Sequence, residues 1–321
     1  MMKKSTRIWL IVATCFVLLG GLIFVGGMTV LKWDFTKLTT AKFETNTYKI
    51  DETYQGISIN VDTADIVFVP VDGEATEVIC YEQEKVKHSV AVKDGTLTVE
   101  VVDTRAWYEH IGINFVSPKI TVQIPRGEYG ALRIDSATGD VEMPKDFSFD
   151  SIEITESTGR VTCEASAKEQ MNIRTTTGDI FVSGVHAGAI DLSVSTGKVT
   201  LQDTICAGEV KINVSTGDAR LSRVDCRSLI SDGSTGSLSL TRVIASERFS
   251  LQRSTGSVWF DGCDAAEIFV NVSTGSVKGT LLTEKTFSAS SDTGRVEVPR
   301  DTRGGKCEIS ACTGDIIISV D

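Results

Sequence analysis

The chain has few prolines, few histidines and few aromatic residues. Of its 321 residues only 5 are proline and 3 are histidine, and aromatic side chains make up 7%. With 41% hydrophobic and 23% charged residues, the composition excludes a collagen-like chain and argues against intrinsic disorder. The chain is therefore expected to fold, and it is long enough to bury a core in one elongated domain or two compact ones.

Basic side chains are also in the minority. The sequence has 32 Lys and Arg against 43 Asp and Glu, which gives a net charge of −11. The first 32 residues contain Lys3, Lys4, Arg7 and Lys32 and no acidic residue, so the rest of the chain is more acidic still. Because neutralising phosphate groups requires Lys and Arg, this balance argues against a nucleic-acid partner.

Motifs for metal binding and nucleophilic catalysis are missing. The eight cysteines form no CxxC pair, so the sequence predicts neither a disulfide scaffold nor a zinc site. The Gly-Gly-x-Gly-x-Asp repeat of calcium-binding β-rolls does not occur, and His88, His110 and His186 lie in no Gly-x-Ser-x-Gly or His-Glu-x-x-His motif. We therefore expect no metal, no cofactor and no catalytic residues.

An apolar segment lies near the N-terminus. The 24 residues from Ile8 to Leu31 carry no charge, and basic residues flank them on both sides. At about 1.5 Å per residue this length spans the roughly 30 Å hydrocarbon layer of a bilayer. A cleaved signal peptide is the alternative, but its apolar part is only about 7–15 residues long. The positive charges ahead of the segment predict a single-pass protein of the cell membrane, with the N-terminus inside and the C-terminal domain extracytoplasmic.

An internal repeat dominates the rest of the chain. Thr-Gly occurs ten times at intervals of 19 or 20 residues, and its glycines are Gly139, Gly159, Gly178, Gly197, Gly217, Gly236, Gly256, Gly275, Gly294 and Gly314. Mostly apolar residues stand seven and five positions before each Gly and two positions after it, with polar residues between them. This alternation predicts two half-buried strands per repeat that meet at a glycine corner.

A hairpin array and a parallel solenoid both satisfy that alternation. The residue after the Gly alternates in sign through the first five repeats: Asp140, Arg160, Asp179, Lys198 and Asp218. In a solenoid these residues are neighbours about 4.8 Å apart, where alternation avoids contacts between like charges. The sequence therefore predicts an all-β fold, a parallel β-helix or β-solenoid of about 19-residue coils, preceded by one transmembrane helix.

The predicted organisation has five parts. They are a cytoplasmic tail (1–7), the transmembrane helix (8–31), a juxtamembrane linker (32–55), an N-terminal β cap with a degenerate first coil at Ala64 (56–131), and the ten-repeat solenoid (132–321). Terminal repeats of a solenoid are atypical because they cap the stack. The chain stops at Asp321, seven residues after the last Gly, which predicts an unpaired strand edge there unless something covers it.

The start Ile-x-Ile-x-Val-x-Thr-Ala-Asp-Ile-x-Phe (57–68) and the run of Ser-Thr-Gly-Asp/Ser-Val motifs resemble a known family. This is the bacterial putative-adhesin β-strand-repeat family, a domain of unknown function. The chain also looks like its membrane-anchored members associated with Gram-positive cell-envelope stress operons. The resemblance covers about residues 41–321 and implies a β-solenoid outside the membrane, with no catalytic residues to transfer. The sequence departs from the pattern at Ala64 and at Gly233, where a strand position loses its side chain.

Two local features are candidates for a specific role. Trp107, Tyr108, His110 and Phe115 form an aromatic cluster in a loop-like segment, which can stack on sugar rings, anchor a protein partner or pack the cap against the first coil. Cys206 and Cys226 each lie nine residues after a corner Gly of adjacent coils. At a ladder spacing near 4.8 Å, both a disulfide and a pair of stacked thiols are compatible with the sequence.

These features favour a non-enzymatic, membrane-anchored extracytoplasmic solenoid that acts as an adhesin or as a binding or scaffolding module of the cell envelope. The expected partners are the membrane, through Ile8–Leu31, and an envelope component or membrane protein. Two alternatives stay open. One is a regulatory partner of a membrane stress sensor, engaged through the helix; the other is a polysaccharide-degrading enzyme that uses the carboxylates of the column after the Gly.

Overall fold

The computed structural model describes residues 4–34, 42–107, 116–300 and 303–321. Within them the chain forms one helix, α1 (Lys4–Val30), followed by a β-solenoid. The helix includes a stretch, Trp9–Val30, of 22 residues with a mean hydropathy of 2.5, which is long and apolar enough to cross a membrane. A membrane anchor and a signal sequence both satisfy this description.

In these described residues, 24 strands form one continuous sheet that winds around a single core. The N-terminal strands are β1 (Phe43–Ile50), β2 (Gly56–Thr63), β3 (Asp65–Val71), β4 (Thr76–Gln83), β5 (Val86–Lys93), β6 (Thr96–Asp103) and β7 (Lys119–Pro125). The central strands are β8 (Gly127–Thr138), β9 (Val141–Met143), β10 (Phe147–Thr158), β11 (Val161–Cys163), β12 (Ser166–Thr177), β13 (Ile180–Ser183), β14 (His186–Thr196), β15 (Val199–Cys206), β16 (Glu209–Thr216), β17 (Ala219–Thr235), β18 (Leu238–Thr255) and β19 (Val258–Thr274). The C-terminal strands are β20 (Val277–Leu281), β21 (Lys285–Thr293), β22 (Val296–Glu297), β23 (Gly305–Thr313) and β24 (Ile316–Val320).

Successive coils pair in parallel and in the register of the repeat, so the predicted solenoid is confirmed. Ile152, for example, pairs with Leu132 of the preceding coil and with Met171 of the next, and all three side chains are buried. Side chains of a strand alternate between its two faces, so every second residue enters the core while the residues between them face solvent. The column two residues after the Gly is buried in the same way, as at Val141, Val161 and Ile180.

The coils at the N-terminal end do not follow chain order. The β2–β3 coil lies between the β6–β7 coil and the β8–β9 coil, because β2 pairs with both β6 and β8, and β3 with both β7 and β9. Antiparallel strands complete this end: β5 pairs with β6, while β4 pairs with β7 and with β1. Strand β1 falls within the stretch 32–55 for which the sequence suggested a linker. We call β1, β4 and β5 the cap strands.

The C-terminal end has the same inverted order, which corrects the expected edge at Asp321. The last strands, β23 and β24, lie between the β19–β20 coil and the β21–β22 coil. The C-terminal strand is therefore not an unpaired edge, because the chain returns and inserts its final coil inside the stack, where its own strands cover it on both sides. Among the described residues, the outer edge belongs to β21 and β22 instead, where Val296 is 39% exposed.

Candidate binding site

The ten corner glycines have a structural role. All have φ between 124° and 156°, a region that side chains rarely adopt. At Gly159 a Cβ atom would lie 1.8 Å from the carbonyl oxygen of Gly139 in the neighbouring coil. Only glycine fits at these corners, because the backbone of one coil approaches the backbone of the next too closely for a side chain.

The charged column after the Gly connects the coils through hydrogen bonds. The Arg160 amide donates to Asp140 Oδ1 at 2.8 Å, and the Lys198 amide donates to Asp179 Oδ1 at 2.8 Å. Farther along, the Ser276 amide donates to the hydroxyl of Ser257 at 3.1 Å. The acceptors in this column thus bind the backbone of the next coil, a contact that the alternation of charge alone did not predict.

The predicted aromatic segment lies mostly outside the described residues. Trp107, its one described aromatic residue, lies after β6 with 79% of its surface exposed. Tyr108, His110 and Phe115 belong to 108–115, which the structure does not describe, so their proposed role stays a prediction.

A cavity of about 380 Å³ adjoins the described ends of this segment. Arg105 and Val116 lie on its wall, and Arg105 Nη2 forms an ion pair with Asp103 Oδ2 at 2.6 Å. The full lining is Asp62, Thr63, Gln83, Val86, His88, Val101, Arg105, Val116, Ser117 and Pro118. The cavity therefore joins the cap strands to the β6–β7 coil.

Behind the cavity, a buried polar cluster lies between β4 and β5. The Nδ1 atom of His88 is 2.6 Å from Glu82 Oε2, and both side chains are almost fully buried. The backbone amide of His88 also donates to Glu82 Oε2 at 2.6 Å, and Asn46 Nδ2 of β1 donates to Glu82 Oε1 at 2.7 Å. Cys80 completes the cluster, and burial raises the pKa of its thiol to about 12. One potential ligand atom each from Cys80, Glu82 and His88 lie within 4.8 Å of one another.

A second candidate surface lies on the outer face near the C-terminal end. Here Phe269 is only partly buried, and Lys306 Nζ lies 5.4 Å from the centre of its ring. A shallow groove of about 360 Å³ passes the ring and is lined mainly by hydroxyl and amide side chains: Ser250, Gln252, Asn271, Ser288, Ser290 and Ser310. An aromatic ring among such groups can stack on a ligand that also accepts and donates hydrogen bonds.

Sequence reasoning missed this aromatic surface, although the repeat contains its signal. Phe269 stands six residues before its corner Gly, where Arg133, Glu153 and Asn172 stand in other repeats. Trp259, which is 47% exposed, likewise occupies an outward position that pairs with Ser239 and Lys278. An aromatic residue at an outward position that is polar in most other repeats is the feature that could have identified these sites.

The cysteine pair is resolved in favour of free thiols. Ile205 and Asp225 pair in register, which places Cys206 and Cys226 on adjacent coils. Both side chains are buried and neither forms a disulfide in the structure.

Comparison of the sequence with protein families matches residues 54–213 and 202–321 to the family described as Toastrack DUF4097. The chain belongs to the Toastrack DUF4097 family. These matches cover the solenoid and confirm the family resemblance inferred from the repeats. Comparison with curated proteins finds no significant match.

Solved structures of low sequence identity are similar to the chain. A "putative lipid binding protein" from Parabacteroides distasonis is similar at 15% identity and a TM-score of 0.50, over 75% of this chain and 97% of that chain. A "putative adhesin" from Bacteroides fragilis is 15% identical with a TM-score of 0.37, over 87% of this chain and 97% of that chain. A "putative adhesin" from Parabacteroides merdae is 12% identical with a TM-score of 0.43, over 76% of this chain and 98% of that chain.

Proposed function

We propose that this Toastrack protein is a membrane-anchored, extracytoplasmic binding module of the cell envelope that acts without catalysis. The observation that carries the proposal is the outward face around Phe269, where a partly exposed ring lies among hydroxyl and amide groups. Such a face can bind a saccharide or protein surface by stacking and hydrogen bonding, without a deep pocket.

The orientation follows from the helix and the charge distribution. Helix α1 carries the apolar stretch Trp9–Val30, and basic residues precede it in the sequence. Under the positive-inside rule this order supports a solenoid that lies outside the membrane. The acidic surface of the solenoid also disfavours simple electrostatic attraction to anionic wall polymers, so we expect recognition by stacking and hydrogen bonds.

The hydrogen bonds made by the aspartates of the charged column after the Gly support a non-enzymatic function. An enzyme acting on polysaccharides needs carboxylates directed at its substrate. The carboxylates of Asp140, Asp179 and Asp218 instead each accept an amide hydrogen bond from the next coil. They act as coil contacts, which argues against the hydrolase or lyase alternative.

Crosslinking followed by affinity purification tests the proposal. The full chain and a chain of residues 41–321 are compared in cells, each as wild type and as Phe269→Ala. We expect both lengths to capture the same envelope component and Phe269→Ala to lose it. Phe181→Ala is the matched control, because Phe181 is also partly buried and faces outward on another coil. Equal capture by wild type and Phe269→Ala would contradict the assignment of this face.

The exposed surface of α1 favours a second candidate function, regulation of a membrane stress sensor. Trp9, Phe16 and Leu22 are each about 70% exposed along the helix, so the solenoid leaves this surface open to a second membrane helix. Replacing residues 8–31 with an unrelated apolar helix tests this candidate. Loss of stress signalling at an unchanged protein level would support it, and unchanged signalling would exclude it.

A further inference from the structure

We propose that Cys80, Glu82 and His88 form a binding site for one thiophilic divalent cation, with Zn²⁺ as the reference ion. The three residues offer a sulfur, an oxygen and a nitrogen ligand within 4.8 Å of one another, and all three are buried. This is the ligand chemistry of zinc sites in proteins. No sequence motif indicates this site, because the three residues lack CxxC spacing.

Strands β4 and β5 bring the ligands together, because their side chains alternate between the two faces of each strand. Cys80 and Glu82 are two residues apart on β4, so they share its inward face. A short turn then leads into β5, where Gln83 pairs with Val86, and β5 directs His88 to the same side. The cluster is therefore fixed by the hairpin and does not depend on the undescribed segment.

The charges of the cluster suit a divalent ion. A Cys80 thiolate and the Glu82 carboxylate together carry the two negative charges that balance Zn²⁺, and neutral His88 adds a ligand without charge. The resulting site is neutral, which lowers the cost of placing an ion in the buried cap.

Binding of the ion changes the protonation of the ligands. The Cys80 thiol gives its proton to solvent as the sulfur–metal bond forms, and the neutral His88 ring binds through its Nδ1 lone pair with its one ring proton on Nε2. One proton is thus released per ion, and affinity rises with pH.

Hydrogen bonds from β1 hold two of the ligands in place, and a neighbouring cavity offers the ion a route to the site. Asn46 Nδ2 donates to Glu82 Oε1, and the Tyr48 hydroxyl donates to the carbonyl of His88 at 2.9 Å. The 2.6 Å contact between His88 Nδ1 and Glu82 Oε2 must widen to roughly 3.3 Å around a tetrahedral ion with bonds near 2.0 Å. His88 also lines the cavity of about 380 Å³, through which an ion and a water ligand can enter.

A bound ion would tie β4 to β5 at the end of the solenoid. The cap strands lie beyond the regular coils and have no repeat to set their pairing. A metal crosslink there stabilises the folded state by binding it in preference to the unfolded chain.

Cobalt and zinc titrations of the full chain in detergent micelles, without a histidine tag, test the site. Wild type is expected to bind one Co²⁺ per chain with a thiolate-to-metal charge-transfer band that Zn²⁺ abolishes. Cys80→Ser should lose the band, and both Cys80→Ser and His88→Gln should weaken Zn²⁺ binding at least tenfold. Cys163→Ser, which changes an equally buried thiol of β11, is the matched control and should bind as wild type.

The same measurements can overturn the proposal. Absence of a saturable charge-transfer band in folded wild-type protein does so without any variant. A band that persists in Cys80→Ser and disappears in Cys312→Ser would assign the metal to the exposed Cys312 and equally reject the site. Circular dichroism checks that each variant retains its β-structure, and two cluster variants are used so that the loss of one to misfolding leaves the other.

Discussion

Gly233 pairs with Arg253 on the next coil, and the missing side chain at Gly233 provides the space that the guanidinium occupies. A Cβ at position 233 would lie 2.8 Å from Arg253 Nη1. Arg253 is only 2% exposed, and its Nη2 donates to the hydroxyl of Ser231 at 2.8 Å. Burial lowers the pKa of Arg253 to about 10. The departures from the apolar repeat at Ser231 and Gly233 are thus both matched to one buried arginine.

This relationship predicts non-additive substitutions. Gly233→Ala should lower the free energy of unfolding by about 1–3 kcal/mol, because the added methyl overlaps the guanidinium. The double variant Gly233→Val with Arg253→Val should be more stable than Gly233→Ala, since it makes the column match Val214 and Val272 on either side. Urea denaturation compares the free energies of unfolding of the two variants, and a double variant no more stable than Gly233→Ala would contradict this relationship.

Glu156 predicts a pH-dependent stability. It pairs in register with Ser136 and Thr175, is 1% exposed, and its carboxylate oxygens find no hydrogen-bond partner among the described residues. Burial raises the pKa of Glu156 from its ordinary value of 4.5 to about 7. The folded protein therefore holds this proton more tightly than the unfolded chain, and stability is lost as pH rises from about 4.5 through 7.

The loss should amount to up to about 3 kcal/mol and should vanish in Glu156→Gln, which carries no charge at any pH. Denaturation midpoints measured from pH 4 to pH 8 check this expectation. Glu142→Gln, a change at an exposed glutamate one coil away, is the control and should keep the wild-type pH dependence. A wild-type slope that survives in Glu156→Gln would assign the effect to another group.

The repeat sequence predicts the solenoid well because one rule applies at every corner. Gly159 and its counterparts need the same backbone, and Ile152 and its counterparts fill the same core position. The order of the coils at the two ends was not predictable, because β2 and β23 insert between coils through pairings that no periodic pattern contains. The cluster at Glu82 was missed for the same reason, since it lies in antiparallel cap strands outside the repeat.

Corner glycines should be far less tolerant of substitution than a glycine whose Cβ position is open, such as Gly184. Gly159→Ala places its methyl against the Gly139 carbonyl and should cost about 3 kcal/mol or more. Gly184→Ala has φ of 68° but open space around its Cβ, so only backbone strain of about 1–2 kcal/mol is expected. Thermal unfolding of both variants measures the difference, and equal losses would refute the role of the backbone contact.

The charged column after the Gly should tolerate serine in place of aspartate. Asp179→Ala removes the acceptor of the Lys198 amide and should cost about 1 kcal/mol, whereas Asp179→Ser should be nearly neutral because serines serve the same role at Ser257 and Ser276. Lys198→Ala is the control, since its side chain accepts no such bond. Denaturant midpoints measure the loss of stability in each variant. A loss in Lys198→Ala as large as that in Asp179→Ala would show that the charge pattern stabilises the column and the amide hydrogen bond does not.

The location of the solenoid outside the membrane can be tested by the chemical accessibility of one native thiol. Cys312 is exposed, whereas Cys80, Cys163, Cys206, Cys226, Cys263 and Cys307 are buried and Cys15 lies in α1. The measurement is labelling of intact cells with a membrane-impermeant maleimide, combined with an alkaline wash of the membranes. We expect wild type to be labelled, Cys312→Ser to stay unlabelled, and the labelled chain to stay in the washed membranes. Labelling only after permeabilisation, or release of the labelled chain by the wash, would contradict an anchored extracytoplasmic solenoid.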